Sequence, residues 1–108
     1  MKIDVSIGEL VDKVTILEIK KEKFKNPDKL ENVKKEYKKL YSYMNKIGIN
    51  SKSKEFLKLK NVNLKLWKIE DDIRIKEAKR EFDKEFIKLA RSVYIENDER
   101  AAKKKEIN

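Results

Sequence analysis

Apolar residues recur every three or four positions along most of the chain, which is the period of a helix with one buried face. Ser6 followed by Glu9 has the spacing of a capping box, so the first helix is predicted to begin at Ser6. Asn26 and Pro27 are predicted to end it near Lys25, because proline disfavours helical geometry in the preceding residue. The apolar stripe of this helix is Ile7, Leu10, Val11, Val14, Leu17 and Phe24.

A second helix is predicted between Pro27, a residue suited to a first helical turn, and Gly48, which suits a left-handed cap. Its apolar positions are almost unbroken at spacings of three and four: Leu30, Val33, Tyr37, Leu40, Met44 and Ile47. Only a short Asn-Pro turn separates it from the first helix. The two helices are therefore predicted to form an antiparallel N-terminal hairpin.

Two further helices are predicted in the second half of the chain. Ser51 or Ser53 is expected to cap the third, which ends between Lys79 and Phe82, and Asp83 is expected to cap the fourth. The third stripe is Leu59, Val62, Leu66, Ile69 and Ile73, and the fourth is Phe86, Leu89, Ala90, Val93, Asn97, Ala101 and Lys104. The fold class is thus all-α, an antiparallel bundle of three to four helices in a single domain over residues 1–108.

The composition fits this class, with 45% charged residues, two glycines and one proline in 108 residues. Cysteine and histidine are both absent, which excludes disulfides, thiol catalysis, histidine-based triads and the usual zinc sites. No cofactor or metal is expected. Without an apolar run of roughly 20 residues or a signal-peptide pattern at its start, the chain is expected to be cytoplasmic and to lack a membrane span.

The net charge of +9 raises the alternative of a basic nucleic-acid-binding module. Of the 29 basic residues, 25 are lysines, and the chain is also rich in Asn and Ile, a mixture typical of AT-rich coding sequence. Lysines on exposed helical faces explain most of the charge. No helix-turn-helix, zinc-finger or RNA-binding signature accompanies them, so nucleic-acid binding is not favoured.

Polar residues fall on the inward side of the fourth helix, in the lysine-free segment 89–100. Asn97 continues the apolar stripe, and Arg91, Tyr94 and Asp98 share a neighbouring face. One interpretation is an internal network in which Arg91 pairs with Asp12 or Glu18, the Tyr94 hydroxyl bonds Asn97 or Asp98, and Arg100 forms an outer cap. The alternative is that the same residues line a cleft or a homo-oligomer interface, where Arg and Tyr are enriched.

The third helix carries a second polar group, which is Trp67, Glu70, Asp71, Asp72 and Arg74. Asp71 and Arg74 lie on one side of the helix, with Trp67 one turn before them. A carboxylate pair there has the chemistry for Mg²⁺ binding or acid–base work, but adjacent surface carboxylates are more often solvated. Trp67, Asp71 and Arg74 therefore join the candidates for a ligand or partner site.

Three blocks, at residues 6–20, 66–74 and 89–101, resemble the signatures of a family of small bacterial and phage proteins of unknown function. The resemblance implies a link to surface polysaccharide or glycosyl transfer, and relatives are expected to run further at the C-terminus. A weaker likeness is to helical chorismate mutases. Val11-Asp12 fits their first helix, whereas Val14-Thr15 lacks the second aspartate and Gly8 replaces a substrate-binding arginine.

The sequence is therefore interpreted as a non-enzymatic helical interaction or accessory module. Its expected partners are a second copy, most simply in a dimer, and an unidentified protein or small molecule. The alternative is a small enzyme or ligand-binding protein, although no catalytic residue is identified. Such a protein would use a shared site formed by Asp12, Arg91, Tyr94, Asn97, Asp98 and Arg100.

Overall fold

The computed structural model describes residues 6–108, which form four α-helices and no strand. The helices are α1 (Ile7–Lys23), α2 (Pro27–Lys46), α3 (Lys54–Ala78) and α4 (Lys84–Ile107). The predicted all-α bundle is confirmed. Within the described range, no helix combines the length and apolar character needed to cross a membrane.

Two of the predicted helix caps form. Ser6 Oγ accepts a hydrogen bond of 3.2 Å from the Glu9 amide, but the Glu9 carboxylate bonds Lys104 Nζ at 2.9 Å, so only half of the capping box is present. Asp83 accepts from the Phe86 amide at 3.0 Å. That bond, together with one from Lys76, lowers the pKa of Asp83.

The caps of the middle helices differ from the prediction. Ser53 is the N-cap residue of α3, yet its hydroxyl accepts from the Asn50 amide and makes no bond to the helix. Asn26, expected only to end α1, caps α2 by accepting from two amides of its first turn. Gly48 has a φ of 88°, as expected for a left-handed residue after a helix.

Helix α1 is the centre of the fold, because α2, α3 and α4 all pack against it. Its buried residues occupy about 220° of its circumference at 100° per residue. They are Gly8, Leu10, Val11, Asp12, Val14, Thr15, Leu17 and Ile19. The main apolar cluster joins three of them to α2 and α3, and consists of Leu10, Val11, Val14, Met44, Phe56 and Leu59.

A glycine permits the closest approach between α1 and α4. A Cβ at Gly8 would collide with the backbone carbonyl of Lys104. The Gly8 amide also donates to the Asn108 side chain at 2.6 Å. The first turn of α1 therefore depends on the last turns of α4.

The α3–α4 hairpin has a much thinner core toward its turn than at the end that packs against α1. We call residues 68–100 the arm; no residue after Leu66 is buried. At its tip, Arg80 adopts a left-handed φ of 55°, the Arg80 amide donates to Glu77 O, and the Glu81 amide donates to Lys76 O. This is the hydrogen-bond pattern of a helix end that normally prefers glycine.

Candidate functional site

Four polar side chains meet where α1, α3 and α4 come together, and we call them the buried polar cluster. They are Asp12, Thr15, Asn63 and Arg100. Asp12 is only 3% exposed. Arg100 Nε donates to Asp12 Oδ1 at 2.9 Å and its Nη2 donates to Asp12 Oδ2 at 2.5 Å, which is the two-pronged geometry of a strong guanidinium–carboxylate pair.

The remaining members complete the hydrogen bonding of Asp12. Asn63 Nδ2 donates to Asp12 Oδ1 at 2.9 Å and to Thr15 Oγ1 at 2.8 Å, and Thr15 Oγ1 donates to the Asp12 carbonyl at 2.6 Å. The hydrogen bond to Asp12 raises the pKa of Arg100 against the opposing effect of burial. Throughout residues 6–108, every buried side-chain nitrogen or oxygen has a partner. The cluster therefore closes on itself.

A cleft of about 170 Å³ adjoins the cluster. Its lining residues are Ile16, Ile19, Asn63, Leu66, Trp67, Glu70 and Arg100. The Trp67 ring packs against Phe24, with centroids 6.3 Å apart. Ligand pockets usually hold roughly 300–1,000 Å³, so this cleft has room only for a very small solute. The Arg100 guanidinium, which lines this cleft, is already neutralised by the buried Asp12 carboxylate.

The expected pairing of Arg91 with Asp12 or Glu18 is wrong, as is the role of Arg100 as an outer cap, because Asp12 pairs with Arg100 and Glu18 pairs with Lys60. Arg100 takes the position that was predicted for Arg91. The two arginines are nine residues apart, which is two and a half helical turns, so they point in opposite directions from α4. Arg100 therefore faces α1, whereas Arg91 faces solvent.

The other candidates of α4 are also exposed. Asn97 was predicted to continue the inward stripe, but it lies on the surface, and Tyr94 is 75% exposed. With respect to residues 6–108, no side-chain hydrogen bond or ion pair involves Arg91, Tyr94, Asn97 or Asp98. The predicted bond from Tyr94 to Asn97 or Asp98 is therefore absent from this part of the chain.

Arg91, Tyr94 and Asp98 share one continuous exposed face with two isoleucines, and we call this face the outer stripe of α4. It consists of Ile87, Arg91, Tyr94, Ile95 and Asp98, at spacings of three, four, seven and eight. Ile87 is 53% exposed and Ile95 is 62% exposed. The stripe points away from the face with Leu89 and Val93, whose side chains are partly buried.

The candidates of α3 form a third, separate group. Asp71 and Arg74 pair with each other on the surface of the arm. No cluster of three or more potential metal-binding side chains occurs in the described part of the chain. The polar residues of α1, α3 and α4 thus do not surround one shared site: Asp12, Trp67 and Arg100 are near the cleft, and the other six are on two exposed faces.

The sequence analysis did not identify two features: Asn63, and the hydrogen bonds that Lys60 and Tyr37 make to Glu18 on the other side of α1. Asn63 interrupts the apolar stripe between Leu59 and Leu66, a signal of the same kind as the one that nominated Asn97. On the far side, Lys60 Nζ donates to Glu18 at 2.6 Å, and the Tyr37 hydroxyl donates to Glu18 at 2.8 Å.

This second network joins α1, α2 and α3. Burial of the Tyr37 hydroxyl, followed by its bond to Glu18, raises the pKa of Tyr37. Burial alone would lower the pKa of Lys60, but its hydrogen bonds to Glu18 and Glu22 outweigh that effect and raise it. The network tethers three helices, and Lys60 also lines an open groove of about 450 Å³ on α3 together with Leu57, Lys58, Asn61 and Leu64.

The comparisons with known proteins identify a family and nothing finer. The model of a family of unknown function, DUF6165, matches residues 1–108, so the chain belongs to that family. The expectation that it is a member of a family of unknown function is confirmed. Neither a curated protein nor a solved structure matches the chain.

Proposed function

We propose that this family member is a non-enzymatic helical module that assembles with a second copy of itself through the outer stripe of α4. The observation that carries the proposal is the exposure of Ile87, Tyr94 and Ile95 along one face of a long helix. Aromatic and aliphatic side chains that share an exposed face are typical of protein interfaces. The buried polar cluster, by contrast, is fully paired and acts as structural support.

The charge distribution favours a second copy over a strongly charged partner. The arm has nine basic and ten acidic residues, so it is nearly neutral although the whole chain carries +9. A face of mixed charge suits self-association, whereas nucleic acid would require a concentrated basic surface. The family resemblance suggests surface polysaccharide or glycosyl transfer as the pathway in which such an accessory module acts.

Sedimentation velocity from micromolar to near-millimolar concentration tests the proposal. The wild-type chain should shift from monomer to dimer, and the double variant Ile87→Glu/Ile95→Glu should remain monomeric. Leu57→Glu is the matched control, because Leu57 is 52% exposed on α3, outside the stripe. A wild-type chain that stays monomeric at every concentration, or an Ile87→Glu/Ile95→Glu variant that still dimerises, contradicts the proposal.

A further inference from the structure

The order of charged and apolar side chains along the outer stripe of α4 favours one direction of pairing between two copies. Arg91 and Asp98 flank a central apolar pair, Tyr94 and Ile95. All four are exposed, and the exposed face continues to Ile87 on one side and Ala102 on the other. The face therefore runs along most of a 24-residue helix, which is about 36 Å long.

The two possible directions of pairing have opposite electrostatic consequences. In a parallel symmetric pair, each residue faces its own copy, so Arg91 opposes Arg91 and Asp98 opposes Asp98. In an antiparallel pair centred between Tyr94 and Ile95, Arg91 of one protomer opposes Asp98 of the other. The antiparallel arrangement turns two repulsive contacts into two attractive ones.

Resting on the self-association proposed above, we infer that two α4 helices pair antiparallel about a two-fold axis between Tyr94 and Ile95. Tyr94 of each protomer then packs on Ile95 of the other, and Ile87 packs on Ala102. The same patch serves both protomers, as a two-fold interface requires. Lys84 opposes Lys105 only at the two exposed ends, where water and salt screen the repulsion.

The size of the stripe sets the strength of this dimer. Ile87 to Ala102 is 16 residues, so a strip about 24 Å long and roughly 10 Å wide covers about 240 Å² on each protomer. A standard stable interface covers about 800 Å² on each partner. The dimer is therefore weak and concentration-dependent, and two ion pairs that cross it contribute noticeably to its affinity.

Charge reversal tests the register. Arg91→Asp alone and Asp98→Arg alone each place like charges opposite one another twice, so each should weaken self-association about tenfold. An equimolar mixture of these two variants should recover the wild-type affinity as a heterodimer, and so should the double variant R91D/D98R by itself. Arg74→Asp, outside the stripe, should leave the affinity unchanged.

Cysteine cross-linking provides an independent measurement, because the chain has no cysteine of its own. Under mild oxidation, a mixture of Arg91→Cys and Asp98→Cys should form a mixed disulfide dimer. Ile87→Cys alone should not, since the two copies of position 87 lie far apart in the antiparallel pair. Circular dichroism of each variant checks that its helix content is unchanged.

The outcomes separate this inference from the proposed function. If the wild-type chain does not dimerise, the proposed function fails. If it dimerises through the stripe but Ile87→Cys cross-links to itself, or the mixed charge variants do not recover affinity, only the antiparallel register is overturned. Weakening by each single charge reversal together with the mixed disulfide supports it, because a parallel pair has two like-charge contacts in the wild type and in either variant.

Discussion

Helices α1 and α4 both pack against other helices, yet their burial is very different. Eight of the 17 residues of α1 are buried, whereas none of the 24 residues of α4 is. Three helices surround α1, while α4 is covered by α3 along its length and by α1 only near its C-terminal end. The comparison shows that a helical stripe predicts which face turns inward, but the number of neighbours decides how far that face is buried.

The same contrast separates two regions: the core around α1 stabilises the fold, and the arm exposes apolar surface. Apolar burial contributes roughly 25 cal/mol per Å², so the region around α1 supplies most of it. The arm retains apolar side chains that remain half exposed or more, including Ile75, Phe82 and Ile87. We expect the centre to tolerate substitution poorly and the arm to tolerate it well.

A pair of phenylalanines should give the largest difference between the two regions. Phe56 is fully buried in the central core, and Phe82 is 61% exposed at the tip of the arm. Phe56→Ala should lower the free energy of unfolding by about 3–5 kcal/mol, because it leaves a cavity. Phe82→Ala should cost about 1 kcal/mol or less, chiefly its edge-to-face contact with Phe86. Chemical denaturation measures both, and equal losses would contradict the contrast.

A pair of aspartates should show the next largest difference. Asp12→Ala leaves Arg100 and Asn63 without their shared acceptor and should cost about 3 kcal/mol. Asp98→Ala removes an exposed carboxylate and should change stability by less than about 0.5 kcal/mol at concentrations where the chain is monomeric. Urea unfolding of the two variants tests the assignment of the buried polar cluster. A mild effect of Asp12→Ala would show that the cluster contributes little.

The two glycines should separate a steric effect from a backbone effect. Gly8→Ala places a methyl group against the Lys104 carbonyl and should cost about 1–3 kcal/mol. Gly48→Ala meets no neighbouring atom and should cost about 1 kcal/mol through its left-handed backbone alone. Hydrogen exchange should accelerate at the C-terminal end of α4 only in Gly8→Ala. Equal exchange in both variants would show that Gly8 is not needed for α4 to dock.

The smallest expected effect is a gain of stability at the tip of the arm. Arg80→Gly removes the cost of a left-handed conformation in a residue with a side chain and should add up to about 1 kcal/mol. Lys79→Gly is the control, because Lys79 has a right-handed φ of −87° and should gain nothing. Thermal unfolding of both variants measures the difference. Destabilisation by Arg80→Gly would indicate that the arginine side chain itself supports the turn.

The fold was largely predictable because its signals are local. The Asn-Pro turn, Gly48 and the Asp83 cap each act within a few residues, and they mark helix ends to within about two positions. The end of α3 had no such signal, yet Ala78 is only one residue before the predicted range. The capping of α2 by Asn26 was not predicted, because Asn26 and Pro27 were interpreted only as the end of α1.

The site was less predictable because it depends on which helix lies beside which. The pattern alone indicated that polar residues of α4 needed partners. It did not reveal that Arg100 faces Asp12 while Arg91 and Asn97 face solvent, since α4 lacks the third neighbour that would bury its outer side. Asn63 was identifiable by its position in the stripe of α3, but only the packing of α3 against α1 assigns its partner.

The pairing of Asp12 with Arg100 also affects how the chain is made. These residues are 88 positions apart, so synthesis produces the carboxylate long before its guanidinium partner. A nascent chain that has folded α1, α2 and α3 would hold a charge with no counterion in an apolar setting, which is unfavourable. The final packing of α1 must therefore wait until Arg100 on α4 has been synthesised and can reach Asp12.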